Sequence, residues 1–207
     1  MQRHVAAPPP VTGVILAGGR GRRLGGRDKG LIEFAGQTLV ERIAAALAPQ
    51  VNELLISANR NLEQYRRTGY PVVTDRWPDF RGPLAGMLAG LEQASHEHVV
   101  FVPCDTPTLP PGLVSRLGTA MARGDRQAAM VHDGMRAHPV YSMLSRDCAA
   151  TLRARLIAGH YRVEDAMTQL DAVTVDFSDR PEAFFNINEP DDLRELARTG
   201  ETPSCMP

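Results

Sequence analysis

Val11-Thr12-Gly13-Val14-Ile15-Leu16-Ala17-Gly18-Gly19-Arg20-Gly21-Arg22-Arg23-Leu24-Gly25-Gly26-Arg27-Asp28-Lys29-Gly30 is a short apolar run that breaks into a loop of glycine and positive charge. Val11–Leu16 has the length and composition of a buried strand. In an open α/β sheet, ligands bind outside the carboxyl ends of the strands, so the loop after this strand is a candidate site. Glycines let the backbone approach a phosphate closely, and consecutive N–H groups form a nest for an anion. Five cations lie between Arg20 and Lys29, against the single acid Asp28. A phosphate site outweighs the plainer alternative of a solvated Gly/Arg loop.

Two common phosphate motifs do not fit. A dinucleotide fingerprint begun at Gly19 and Gly21 needs glycine at position 24, which is Leu24, and the second strand ends in Ser57-Ala58-Asn59 without a ribose-binding carboxylate. A Walker A loop needs Gly-Lys followed by Ser or Thr, where the chain has Asp28-Lys29-Gly30. The cations carry a further signal. Lys29 is the one lysine among 23 basic residues. In a composition so biased toward arginine, the one lysine marks either a position where a compact ammonium is needed and a guanidinium fork is not, or chance survival, and its position decides between them.

Outward from this stretch the chain alternates. Helices are predicted at Thr38–Ala48 (with a Thr38/Glu41 capping box), Leu62–Arg67, Leu84–Ala94 and Gly112–Ala122, and strands at Leu54–Ser57, Val72–Thr74, Val99–Val102 and Ala128–Val131. Continuous apolar strands separated by helices imply a parallel sheet covered on both faces. Beyond about residue 130 the pattern becomes α+β. Strands are predicted at Val140–Leu144 and Val173–Val175, a helix at Cys148–Ala158, and Phe184–Ile187 leads to a helix near Pro190. The expected fold is a three-layer α/β/α Rossmann-like sheet, mostly parallel, with an antiparallel edge in the C-terminal half. It is read as a single domain over 11–197, with a nucleotide-binding half at 11–130, an acceptor half at 131–197 and flexible tails at 1–10 and 200–207.

Carboxylates close two of the strands. Asp105 follows Val99–Val102 and Asp75 follows Val72–Thr74. Magnesium favours one or two carboxylates plus substrate phosphates and waters, which suits Asp105, although Asp is also a common turn residue. Gly82-Pro83-Leu84-Ala85-Gly86-Met87 reads equally as a tightly packed helix start or as a wall beside a base or ribose. Asn186 and Asn188 flank a helix start where capping needs only one asparagine. His138 precedes a strand and by itself reads as structural. His96 and His98 have no partner at zinc-ligand spacing.

Composition excludes several classes. Twenty-three Lys plus Arg against 24 Asp plus Glu leave a formal charge of −1, unlike a small domain that binds nucleic acid through a basic surface. No apolar run reaches the roughly 20 residues of a bilayer span. The three cysteines, Cys104, Cys148 and Cys205, are too scattered for a disulfide framework. The arginines after Leu16 are on the wrong side for a signal peptide, and a cytoplasmic protein is expected.

Taken together, Leu16-Ala17-Gly18-Gly19, Arg23, Gly25-Gly26 and Asp28-Lys29-Gly30 resemble the signature loop of nucleotidyltransferases with a Rossmann-like GT-A core. With Gly82 to Met87, Pro103-Cys104-Asp105-Thr106-Pro107, His138-Pro139 and Asn186-Ile187-Asn188, the chain resembles the molybdenum cofactor guanylyltransferase family from about residue 11 to 197. The resemblance implies transfer of GMP from GTP to molybdopterin carrying molybdenum, with magnesium as cofactor. It implies catalytic roles for Arg23, Lys29 and Asp105, with Asp105 the metal ligand. Nucleotide contacts are implied for Leu16, Ala17, Gly18, Gly19, Lys29, Asp75, Gly82, Pro83, Leu84 and Asp105. Pterin contacts are implied for His138, Arg162, Asn186 and Asn188. It also implies an asparagine at position 57, where this chain has Ser57 and Asn59 stands two residues on; both remain candidates. Implied protein partners are the molybdenum-insertion protein and apo-molybdoenzymes. A related transferase using CTP or a sugar or polyol phosphate, and a non-catalytic nucleotide-binding regulator, are the competing readings.

Overall fold

The structure, a computed structural model, describes residues 9–19, 28–77, 82–106, 108–187 and 192. Arg23, Asn188 and the helix expected near Pro190 lie outside the described residues.

A seven-stranded sheet organises the chain, in the order β5-β4-β1-β6-β8-β7-β9. The strands are β1 (Val11–Leu16), β4 (Glu53–Ser57), β5 (Val72–Val73), β6 (His98–Pro103), β7 (Ala128–His132), β8 (Ala137–Ser145) and β9 (Val173–Asp176). β2 (Glu33–Phe34) and β3 (Gln37–Thr38) form a separate hairpin. Pairings β5–β4, β4–β1, β1–β6 and β7–β9 are parallel, whereas β8 runs antiparallel to both β6 and β7. The antiparallel strand therefore lies in the C-terminal half but inside the sheet, and the edge strand β9 is parallel to its neighbour. A connection as short as that between His132 and Ala137 permits only a hairpin, which reverses β8.

Strand alternation assigns side chains to two faces. Ile15, Ile56, Val100 and Val102 enter one core with Ile43 and Leu47 of α1 (Leu39–Leu47), Tyr65 of α2 (Leu62–Arg66) and Leu117 of α4 (Leu113–Gly124). Val14, Leu55, Val99 and Phe101 enter the other. There they meet Leu84, Met87 and Leu91 of α3 (Pro83–Gln93), Leu152 of α5 (Ala149–Ile157) and Met167 of α6 (Val163–Gln169). Strands buried on both faces read as continuous apolar runs, which makes them visible in the sequence. Among the described residues, no helix is long and apolar enough to cross a membrane.

Local chemistry sets the element ends. The Thr38 hydroxyl accepts from the Glu41 amide while the Glu41 carboxylate accepts from the Thr38 amide at 2.8 Å. The β2–β3 turn places both Ala35 (φ 51°) and Gly36 (φ 81°) in the left-handed region. Ala is not a usual residue for such a turn, so the sequence holds no hairpin signal there. Nor does the sequence announce α6, which starts after Arg162, a residue that makes no capping hydrogen bond.

Replacing Thr38 by Ala removes the cap of α1. The expected loss is about 0.5–2 kcal/mol of unfolding free energy, read as a lower urea midpoint with an unchanged m-value.

Candidate active site

Strand order decides where the site lies. β1 is flanked by β4 on one side and β6 on the other, so the chain reverses its direction of winding at β1 and opens a crevice beyond the strand ends. A cleft of about 470 Å³ occupies that crevice. Leu16 is paired with Ser57 and with Pro103, so the loops leaving β1, β4 and β6 emerge side by side. Ala17 N–H donates to the Ser57 carbonyl at 2.8 Å and Cys104 N–H to the Leu16 carbonyl at 3.1 Å, which pins the three exits together.

Lys29 reaches across this junction. Its Nζ lies 3.0 Å from Asp105 Oδ2, with side-chain exposures of 21% and 17%. Asp105 Oδ1 is buried and has no hydrogen-bond partner among the described residues. The lysine is aimed by a second assembly that no sequence motif announces. Asp28 is buried, and its carboxylate accepts from Tyr65 Oη at 2.5 Å and from Asn61 Nδ2 at 3.0 Å, with Arg60 Nε at 3.4 Å. Burial drives the Tyr65 phenol far above its ordinary pKa, so it remains a neutral donor. Gly30 packs on the same phenol: a Cβ there would lie 2.6 Å from Tyr65 Oη. Lys29 thus sits between an anchored aspartate and a glycine with no spare space. Asp28 and Tyr65 are 37 positions apart in the chain, and only folding pairs them.

Leu16, Ala17, Gly18 and Gly19 line the cleft beside Lys29 and Asp105. Ser57 lines it too, but is buried, and a Cβ on Gly86 would meet its Oγ at 2.8 Å. Asn59 is half-buried on the wall and tied to Asp75. Its Nδ2 donates to Asp75 Oδ2 at 2.5 Å and its Oδ1 accepts from the Asp75 amide at 3.1 Å. The side-chain amide on this part of the cleft wall is therefore that of Asn59. Gly82 (φ 74°) and Pro83 open α3 at the cleft, while the Leu84 side chain is fully buried in the core and takes no part in the wall. Cys104 is buried between these groups, and burial pushes its thiol well above the usual range, which removes it as a nucleophile.

The opposite wall comes from β8. His138 is buried, with Nε2 2.7 Å from Asp133 Oδ2 and its ring stacked on Phe184 at 5.1 Å. Tyr141 Oη donates to Thr106 Oγ1 at 2.7 Å, and the Ile187 amide donates to the Asp105 carbonyl at 2.7 Å. These bonds bring His138 and Asn186 into the same cleft as Asp105. Arg162 is not among the cleft-lining residues. It stands at the start of α6, largely exposed and paired with Glu164. Arg136, unassigned from the sequence, does line the cleft.

The geometry defines a nucleotide-sized crevice with a lysine–aspartate pair at its base. Comparison with known proteins agrees with it. Residues 13–173 match the family described as the MobA-like NTP transferase domain. A molybdenum cofactor guanylyltransferase of Serratia proteamaculans is 46% identical over 182 residues, 88% of this chain and 91% of that protein. The chain belongs to the molybdenum cofactor guanylyltransferase family. The family member of Pasteurella multocida is 44% identical, covering 87% of this chain and 96% of its own. Among solved structures, molybdopterin-guanine dinucleotide biosynthesis protein A of Archaeoglobus fulgidus superposes with a TM-score of 0.75 at 21% identity, over 91% of this chain and 99% of that one. At that identity the structural likeness speaks for the nucleotidyltransferase fold. Membership of the family makes the chain a nucleotidyltransferase.

Tyr65→Phe leaves the buried Asp28 without its shortest hydrogen bond. An unfolding free energy lower by about 1–3 kcal/mol is expected in denaturant titration. A second expectation concerns pH. Hydrogen bonds, first from His138 and then from the Arg136 amide, hold the Asp133 carboxyl well below the usual carboxylate range. That stabilisation is present above the unfolded-state value of about 4 and is lost as pH falls toward the depressed folded value. The stability difference between wild type and Asp133→Asn should therefore be full at neutral pH and narrow below about pH 4. A difference that stays constant down to acid unfolding contradicts the assignment.

Proposed function

We propose that the protein transfers GMP from GTP to molybdopterin carrying molybdenum, producing the guanine dinucleotide cofactor and pyrophosphate. The observation that carries the reading is the 3.0 Å approach of Lys29 Nζ to Asp105 Oδ2 at the junction of the β1 and β6 loops. The names of the family's members supply the substrates.

The nucleophile is an oxygen of the acceptor's terminal phosphate, already anionic near neutrality, so no strong general base is required. That oxygen forms a bond to the α-phosphorus of GTP. The bond from that phosphorus to the oxygen bridging to the β-phosphorus breaks, and its electron pair leaves with pyrophosphate. Lys29 holds the β- and γ-phosphates as charge builds on the leaving group, and Arg23 of the basic loop assists. Leu16 to Gly19 present backbone to the nucleotide, and Asp75 with Asn59 holds the guanosine beside the start of α3. The pterin lies against His138 and Asn186, with Asn188 following in the chain.

Magnesium fits Asp105. One carboxylate oxygen engages Lys29 and the other is buried without a hydrogen-bond partner among the described residues. Among the described residues, no group of three or more His, Cys, Asp or Glu could hold a metal ion, which suits an ion that takes most of its ligands from substrate phosphates and water. When bound, the ion supplies neutralisation of the two approaching phosphates. Under the same reading, the molybdenum-insertion protein delivers the acceptor and apo-molybdoenzymes receive the product.

The test is magnesium-dependent pyrophosphate release from GTP with molybdopterin supplied. Lys29→Ala and Asp105→Ala are expected to lower turnover by at least about a hundredfold with the fold intact. Lys29→Arg keeps the charge but puts a planar fork into a loop closed by Gly30 and Tyr65, and a large loss is expected there too. Wild-type turnover in either alanine variant, or equal use of CTP, contradicts the reading.

A further inference from the structure

We propose that Arg136 binds the terminal phosphate of the acceptor, and that Asp133 is the positioning residue that fixes it. The inference rests on the GMP-transfer reading and adds the group that receives the second anion.

The reaction brings two phosphates together. Under that reading Lys29 holds the leaving phosphates of the nucleotide, and a cation on the other wall serves the acceptor. Among the described residues that line that wall, Arg136 through Tyr141 and Asn186, Arg136 is the permanently cationic one. It is exposed, so a ligand can reach it. A guanidinium donates two parallel N–H groups to phosphate oxygens and so orients the group as well as attracting it.

An exposed arginine in a hairpin turn is ordinarily a solvated charge. The turn here is built differently. Asp133 is buried, and its Oδ1 accepts from the Met135 amide at 2.8 Å and the Arg136 amide at 2.7 Å. The Asp133 amide donates to the Arg136 carbonyl at 3.1 Å, closing the turn. Its second carboxylate oxygen is taken by His138 Nε2 at 2.7 Å. The turn is also backed from behind: Gly134 has φ 93°, its amide donates to His132 Nδ1 at 3.0 Å, and a Cβ there would lie 2.8 Å from Ser178 Cβ. One carboxylate thus fixes the backbone of Arg136 and the ring of His138. That ring is stacked on Phe184, three residues before Ile187, whose amide is bonded to Asp105. The backbone of Arg136 is therefore held in a fixed relation to Asp105, as in-line attack demands.

The test combines kinetics and binding. Steady-state GMP transfer is measured for wild type, Arg136→Ala, Arg136→Lys and Asp133→Asn. GTP binding in magnesium is followed by calorimetry. Arg136→Ala should raise the acceptor KM at least about tenfold while leaving the GTP Kd within about twofold, and Arg136→Lys should recover part of the loss. Asp133→Asn should raise the acceptor KM in the same direction, less steeply, without moving GTP affinity, and an unchanged acceptor KM there overturns its positioning role. An unchanged acceptor KM in Arg136→Ala, or an equal loss of GTP affinity, overturns the assignment of Arg136. If the wild type itself moves no GMP to molybdopterin, it is the wider reading that fails, and the Arg136 assignment falls with it.

Discussion

The arrangement depends on the meeting of Lys29 and Asp105. These residues are far apart in sequence, and only the adjacency of β1 and β6 brings their loops together. The pair is four-fifths removed from water on each side. At such a site, two charges must compensate each other or be compensated by ligand, since an isolated charge there is costly. The groups described nearby act on that meeting: the strand-end hydrogen bonds join the strand exits, the Asp28–Tyr65 assembly holds the backbone beside Lys29, and Gly30 allows it to pack closely.

The cleft has two walls with different construction. One wall is lined by glycines and the start of α3. The other is a strand of reversed sense, stiffened by aromatic contacts of His138, Tyr141 and Phe184 and by the buried Asp133. Placing β8 antiparallel inside the sheet puts its first residues, rather than its last, at the ligand end. A wholly parallel sheet would deliver strand C-termini there. The reversal thus gives the two sides of the cleft different surfaces.

Much of this is legible in the sequence because the buried strands are continuous apolar runs and the helices carry periodic apolar faces. The loops after β1 and β6 advertise themselves by composition, since glycine, cation and carboxylate at strand ends have few other uses in combination. What the sequence conceals is of another kind. Asp28 reads as a lone acid in a basic loop and is instead its buried anchor. Arg136 reads as one arginine among many. Leu84 sits within a cleft-forming motif but turns into the core, because α3 is buried around most of its circumference. Arg162 falls in the expected half of the chain but stands outside the cleft wall. Each depends on long-range packing, which residue spacing does not encode.

The most direct measurement is a crystal structure with GTP and magnesium. The triphosphate is expected in the crevice beside β1 and β6, with Lys29 Nζ on its phosphate oxygens and the metal on Asp105. A nucleotide bound elsewhere, or a metal held without Asp105, would contradict that expectation.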